Sequence, residues 1–286
     1  MKIKKAVIAV AGSGTRLLPA TKSMPKEMLP IVDKPIIQLV VEELVEAGIQ
    51  DIILVTKWDK KPLEDHFDRS WALENELDKN GKEDYLKEVK RVANLANFIY
   101  VRQKGPYGNG TPVLSAASLV DDEPFVFVWG DDLVKSKISF TKQLITDYEE
   151  SGKMAIAVQE VPLDQVSRYG IVDIDQETMQ LKKIIEKPSI EEAPSQLADF
   201  GRMILNQEIV DILKETPLGK GKELWIVDAI SEYVRRGGKY YVKKVEDGEW
   251  LTTGDPLNYL KAVLKYAFDR EDLADDLKKF IQEMKI

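Results

Sequence analysis

The sequence predicts an α/β fold, a single domain with a mostly parallel central sheet flanked by helices and a small antiparallel subsheet. Three observations predict it. Short, continuous apolar runs bounded by glycine, proline or charge recur through the first half, as expected of strands buried on both faces. Segments with helical spacing separate those runs, and strand–helix alternation builds parallel sheets. The chain has 286 residues, 44% of them hydrophobic and 31% charged, an ordinary globular balance with enough length for one large core.

The first run, Ala6-Val7-Ile8-Ala9-Val10-Ala11, is stopped by Gly12 and reads as the first strand. A helix follows Pro35, from Ile36 to Glu46, with Gly48 past its end; proline at the start and glycine beyond the end punctuate helices. Ile52–Val55, Phe98–Val101 and Phe125–Trp129 read as three more buried strands, with a helix over Val113–Leu119 before the last. The charged stretch Trp71–Asn97 carries Leu73, Leu77, Leu86, Val89 and Val92 at helical spacing, and reads as a helical insertion near one sheet edge. In the second half, Met154–Val158 predicts another core strand. Gly170–Ile174 and Leu181–Ile185 alternate with period two and predict an antiparallel pair. Helices are expected at Gln207–Lys214, Leu224–Arg235, Leu257–Phe268 and about 270–285. No linker or repeat interrupts the chain, so one domain over 1–286 is expected.

Composition removes several kinds of chemistry. There is no cysteine, which excludes disulfides, thiol nucleophiles and iron–sulfur clusters. The single histidine, His66 in Glu64-Asp65-His66-Phe67-Asp68, reads as a surface or capping residue. The net charge of −8 disfavours sequence-independent nucleic-acid binding. Met1-Lys2-Ile3-Lys4-Lys5 leads into about six apolar residues, too few for a signal peptide or a membrane span. A cytoplasmic location is expected.

The segment richest in chemistry is Ala11-Gly12-Ser13-Gly14-Thr15-Arg16, directly after the first strand. Open α/β sheets bind ligands beyond the carboxyl ends of their strands. Glycine there lets backbone N–H groups approach a phosphate, and Arg16 adds a guanidinium fork suited to its oxygens. Position 17 is leucine, so neither the third glycine of a dinucleotide fingerprint nor the Gly-Lys-Ser/Thr of a Walker loop is present. A tight strand-to-helix turn with an incidental arginine is the plain alternative. Nine residues on, Pro25-Lys26-Glu27-Met28-Leu29-Pro30 places a second cation in a proline-bounded, non-helical stretch.

Together, Gly12-x-Gly14-Thr15-Arg16, Leu18-Pro19-Ala20-Thr21-Lys22 and Pro25-Lys26-Glu27-Met28-Leu29-Pro30-Ile31-Val32-Asp33-Lys34-Pro35 resemble the sugar-1-phosphate nucleotidyltransferases, and in spelling the bacterial UTP–glucose-1-phosphate uridylyltransferases. The resemblance spans Lys5 to about Ala267. It implies a Rossmann-like nucleotidyltransferase domain with a nucleotide-binding half over about 1–135 and a sugar-binding half over about 136–268. It also implies UTP and glucose 1-phosphate as substrates, Mg²⁺ as cofactor, and a homodimer or homotetramer. Carried over by position, Ala11, Gly12, Gly14, Thr15, Glu27, Gln103 and Gly108 would bind the nucleotide, with Gln103 on the uracil edge. Gly108 and Gly110 would leave room for the base. Arg16 and Lys26 would neutralise the triphosphate. Asp131, in Gly130-Asp131-Asp132 at the end of a strand, would hold the metal, since Mg²⁺ favours one or two carboxylates plus substrate phosphates. Gly170, Glu186 and Gly201 would serve the sugar, and Lys187 its phosphate.

The match departs from the family pattern at three places. Thr252 stands where the family usually has a metal-binding aspartate, with Asp255 three positions on. Thr111-Pro112 stands for the usual His-Ala, and Trp129 for a smaller aliphatic residue. Three other readings therefore stay open: the same chemistry on dTTP or another sugar 1-phosphate, a non-catalytic nucleotide-sugar binder, and a Rossmann oxidoreductase.

Overall fold

A computed structural model describes residues 2–284. Met1, Lys285 and Ile286 lie outside the described residues, the last two at the end of the expected C-terminal helix. The first half runs β1 (Lys5–Ala9), a small hairpin of β2 (Pro30–Ile31) and β3 (Lys34–Pro35), and α1 (Ile36–Glu46). It continues through β4 (Asp51–Thr56), α2 (Lys61–His66), α3 (Trp71–Lys79), α4 (Glu83–Ala93), β5 (Asn97–Arg102), α5 (Thr111–Val120) and β6 (Phe125–Trp129). The second half runs β7 (Asp132–Ser136), α6 (Phe140–Ser151), β8 (Met154–Glu160), β9 (Gly170–Ile174), β10 (Leu181–Glu186) and β11 (Leu197–Leu205). It ends with α7 (Gln207–Glu215), α8 (Ile226–Arg235), β12 (Tyr240–Lys244), β13 (Gly248–Thr252), α9 (Pro256–Ala267) and α10 (Ala274–Glu283).

The α/β fold with a mostly parallel centre is the one expected. A nine-stranded sheet has the order β10-β9-β11-β6-β1-β4-β5, with β8 joining β11 to β12. At its centre β1 lies between β4 and β6, parallel to both, so that Ile8 faces Leu54 on one side and Val128 on the other. The β1 and β4 residues in this register are almost wholly buried, which explains why they read as unbroken apolar runs. The insertion is two helices, α3 and α4, leading into the edge strand β5. Antiparallel pairing enters with β11, which crosses β6, β8 and β9. β7 and β13 form a separate two-stranded ladder, with Thr252 opposite Asp132.

One buried ion pair fastens the halves together. Arg202 on β11 is fully buried, with Nη2 2.5 Å from Glu43 Oε2 on α1 and 2.9 Å from the Asp132 carbonyl. The other Glu43 oxygen accepts the Thr141 hydroxyl at 2.8 Å, at the start of α6. A buried charge survives only when its partners are this complete.

His66 differs from its reading as a surface or capping residue. It is half-buried, its Nε2 lies 3.0 Å from Gln38 Oε1, and its ring meets Phe67 edge-on. Burial pushes its pKa down. The C-terminal α10 buries none of its side chains.

Candidate active site

β1 and β6 run parallel and end level, Ala9 opposite Trp129, so the loops that follow them open at the same edge of the sheet. These loops carry the glycine segment and the acidic pair. A cleft of about 510 Å³ begins there and extends along the ends of β9 and β10 to the start of α8. Ala11, Gly12, Thr15, Arg16, Lys26, Glu27, Gln103, Gly108, Asp131, Gly170, Glu186 and Lys187 all line it. Twelve of the fourteen sequence-predicted site residues thus share one cleft, although their positions span most of the chain.

At the glycine-loop end, Lys26 Nζ lies 2.5 Å from Asp131 Oδ2. Burial opposes ionisation of both groups, but each outweighs that penalty for the other. Lys26 is held above the usual lysine value and Asp131 below the usual carboxylate value, with Arg16 adding to the latter. Arg16 reaches over from the glycine loop, and a side chain on Gly254 would meet its Nη2 at 3.1 Å and Asp131 Oδ2 at 3.4 Å. Glu27 forms a buried pair with Lys60 at 2.7 Å, and its charge also supports the cationic form of Lys26. Gly14 does not line the cleft. It turns the loop instead, its carbonyl accepting the Thr21 hydroxyl at 2.8 Å.

Gln103 and Gly108 form the wall beside this end. Gly108 has φ +136°, and the place of its side chain is filled by the Leu224 backbone, with Leu224 O 2.2 Å from where a Cβ would sit. Its lack of a side chain, like that of Gly110, therefore admits the Leu224 segment rather than opening space for a base. Gly110 N donates to Leu224 O and Leu224 N to Tyr107 O, both at 2.9 Å, so the loop is tied to the entry of α8.

The other end is aromatic and acidic. Glu186 Oε1 lies 3.2 Å from Lys187 Nζ, which sits 4.5 Å above the Trp225 ring. Burial pushes the Glu186 carboxyl up, and Lys187 partly offsets it. Gly201 lies behind the wall rather than in it. Its φ is +71°, and the Trp129 indole occupies the place of its side chain, with ring atoms 2.3–2.6 Å from an added Cβ. Trp129 lines the cleft directly.

The sequence reading left several lining residues without a role. Trp250 donates through Nε1 to Asp132 Oδ1 at 2.8 Å and stacks on Phe200. Arg168 pairs with Asp255 at 2.5 Å, and Asn109 Oδ1 accepts Ile226 N at 2.9 Å. Asn109 lies between Gly108 and Gly110, which the sequence reading did single out; Trp250 and Arg168 carried no such signal. Asp255 is outside the cleft; it caps α9, accepting Asn258 N at 3.1 Å. It is therefore spoken for and does not stand in for the aspartate missing at Thr252, which does line the cleft. Among the described residues no group of three or more His, Cys, Asp or Glu side chains is arranged to hold a metal. Nor is any helix long and apolar enough to cross a membrane.

Comparison with known proteins identifies the family. Residues 5–268 match the family model described as nucleotidyl transferase. A UTP–glucose-1-phosphate uridylyltransferase 2 of Staphylococcus saprophyticus is 46% identical over 100% of this chain and 99% of its own. A UTP-bound UGPase from Acinetobacter baumannii superposes with TM-score 0.90 at 39% identity, covering 98% of this chain and 99% of that one. A UDP-glucose pyrophosphorylase complexed with UDP-glucose gives TM-score 0.85 at 39% identity, covering 94% of this chain and 100% of that one. The chain belongs to the nucleotidyl transferase family, within its group of UTP–glucose-1-phosphate uridylyltransferases.

Proposed function

We propose that this chain transfers the uridylyl group of UTP to glucose 1-phosphate, giving UDP-glucose and pyrophosphate. An oxygen of the sugar phosphate attacks the α-phosphorus, and the bond to the outer two phosphates breaks in line. No protein nucleophile is required, which fits a chain without cysteine and with one half-buried histidine. Catalysis is then positioning and charge neutralisation.

The observation that supports this reading most is that one cleft has a cationic, glycine-walled end at Arg16 and Lys26 and an acidic, aromatic end at Glu186, Lys187 and Trp225. In this assignment Ala11, Gly12, Gly14 and Thr15 cradle or shape the triphosphate site. Arg16 and Lys26 neutralise the departing pyrophosphate. Gln103 pairs with the uracil edge, with Gly108 and Glu27 completing the nucleotide wall. Glu186 accepts sugar hydroxyls beside Gly170, while Gly201 holds the wall through Trp129. Lys187 leaves Glu186 and Trp225 for the sugar phosphate. The nucleotide half is taken as about 1–135, the sugar half as about 136–268, and the C-terminal helix as about 270–285.

Nucleotidyltransferases of this family generally use a divalent metal, and Mg²⁺ suits the donors present. Asp131 offers one carboxylate and Thr252 a hydroxyl, so a hard cation here must take most of its ligands from phosphates and water, as Mg²⁺ does. When bound, Mg²⁺ supplies charge neutralisation at the α-phosphate. The apolar stripe Leu257, Leu260 and Leu264, exposed on α9, supports a homodimer or homotetramer. The location is taken as cytoplasmic.

A pyrophosphate-release assay with UTP and glucose 1-phosphate, run with and without Mg²⁺, tests the proposal. Metal-dependent release with this pair, exceeding that with dTTP or other sugar 1-phosphates, is the expected result. UDP-glucose binding with no release for any pair would overturn it in favour of a non-catalytic binder.

A further inference from the structure

Behind the sugar end of the cleft lies a carboxyl that the mechanism above does not use. Asp199, on β11, is fully buried, and neither of its oxygens has a side-chain hydrogen-bond partner; the group that acts on it from β9 is the backbone N–H of Gly170. Gly170 separates it from the cleft. A side chain on Gly170 would meet Asp199 Oδ1 at 2.5 Å and Glu186 Oε2 at 3.3 Å, so the bare Cα is wedged between two carboxyls. Those two oxygens are within about 6 Å of one another, the range over which like charges contest each other's ionisation. The titratable groups acting on Asp199 are Glu186 on β10 and Asp132 on β7, and Asp199 in turn acts on the buried Tyr240 of β12; none is a cation. The nearby Arg202 is committed to Glu43.

A buried carboxyl without a side-chain partner costs stability even when neutral, and an apolar side chain of similar size would remove that cost. Groups placed against stability in this way cluster at functional sites.

We propose that Asp199 is a positioning residue of the sugar subsite, its carboxyl buried behind Gly170 where it can meet Glu186 and fix that carboxylate for the sugar hydroxyls. This rests on the reading of Glu186 as a sugar contact. In the unliganded chain Glu186 is oriented by Lys187 at 3.2 Å. Once Lys187 engages the sugar phosphate, Glu186 loses that partner, and Asp199 is the group behind Gly170 placed to replace it. The burial and acidic neighbours of Asp199 push its pKa well above the ordinary value, which keeps the proton it needs. No covalent bond is made or broken; the Glu186 carboxylate, released by Lys187, swings toward the Asp199 O–H.

The test compares the full-length wild type with Asp199→Leu and Asp199→Asn, measuring thermal midpoints and KM for each substrate. Asp199→Leu is expected to melt at or above the wild-type temperature and to raise KM for glucose 1-phosphate about tenfold, the effect of losing one hydrogen bond to a charged group, with KM for UTP unchanged. Asp199→Asn, whose amide still donates, is expected to stay within about threefold of wild type in both constants. Unchanged KM values in Asp199→Leu would overturn the proposal. So would equal rises for both substrates, or an Asn variant no better than the Leu one. Wild type inactive on glucose 1-phosphate would instead overturn the underlying assignment of the sugar site, and this proposal with it.

Discussion

Lys26 and Asp131 stand 105 positions apart in sequence and meet at 2.5 Å in the cleft. The pair neutralises itself before any ligand arrives. This explains how a carboxylate can sit this far into a partly buried wall on protein contacts alone, and it separates a bound metal's effect on activity from its effect on stability.

Asp131→Asn is therefore expected to lower turnover by on the order of a hundredfold or more, the scale set by losing one preorganised charge contact. Chelation of divalent ions should stop pyrophosphate release while leaving the thermal midpoint of the unliganded protein unchanged, because Lys26 already compensates Asp131. Pyrophosphate release and melting curves with and without chelator measure both. A midpoint that drops on chelation would mean that the metal holds the fold.

The roles assigned to Lys187 predict a different pattern. Its side chain is 43% exposed and rests on Trp225, so its removal should leave the fold intact. Lys187→Ala is expected to cost about 2–4 kcal/mol of transition-state stabilisation, seen in turnover at saturating substrates. Wild-type turnover in this variant would dismiss the assignment.

These predictions fall on residues that sequence reading reached, and the reason is physical. Asp131 and Lys187 lie just beyond strand ends, and Arg16 and Lys26 in the turn-rich stretch between β1 and β2, where short polar motifs interrupt apolar runs. β11 was not legible for the opposite reason. Its nine residues are all buried, yet Asp199, Gly201 and Arg202 break the apolar run, and the partners that make burial possible, Glu43 and Trp129, come from distant segments. β7, β12 and β13 offered too few apolar residues to stand out from loops. α6 did carry legible signals, an N-capping Ser139 and a left-handed Gly152 at its end, and pattern reading passed over them. Gly201 shows the limit most directly, because its requirement for glycine is set by an indole 72 residues earlier.

Gly201→Ala should accordingly behave as a stability variant. The added Cβ falls onto the Trp129 ring at 2.3 Å, on a backbone with φ +71°. Overpacking and the left-handed penalty each cost about 1–3 kcal/mol, so a loss of several degrees or more in thermal midpoint is expected. The double variant with Trp129→Leu should recover the packing part and leave the backbone part. If Gly201→Ala alone melts with wild type, the indole is not held against the strand.

The last prediction concerns pH. Asp132 is buried beside Asp131, and burial first, then that neighbouring charge, push its carboxyl up to about 7. Below about pH 4 it is protonated in folded and unfolded chains alike, and its contribution to stability is fully present. Between there and about pH 7 the unfolded chain releases the proton while the folded chain keeps it. The contribution therefore falls as pH rises and is lost once the folded group itself ionises. Asp132→Asn cannot ionise, and its side-chain oxygen can still accept from Trp250 Nε1. The midpoint of the variant minus that of wild type should thus increase from pH 5 to pH 8. Circular dichroism melts across that range measure the difference, and a flat or shrinking gap would place the titrating group elsewhere.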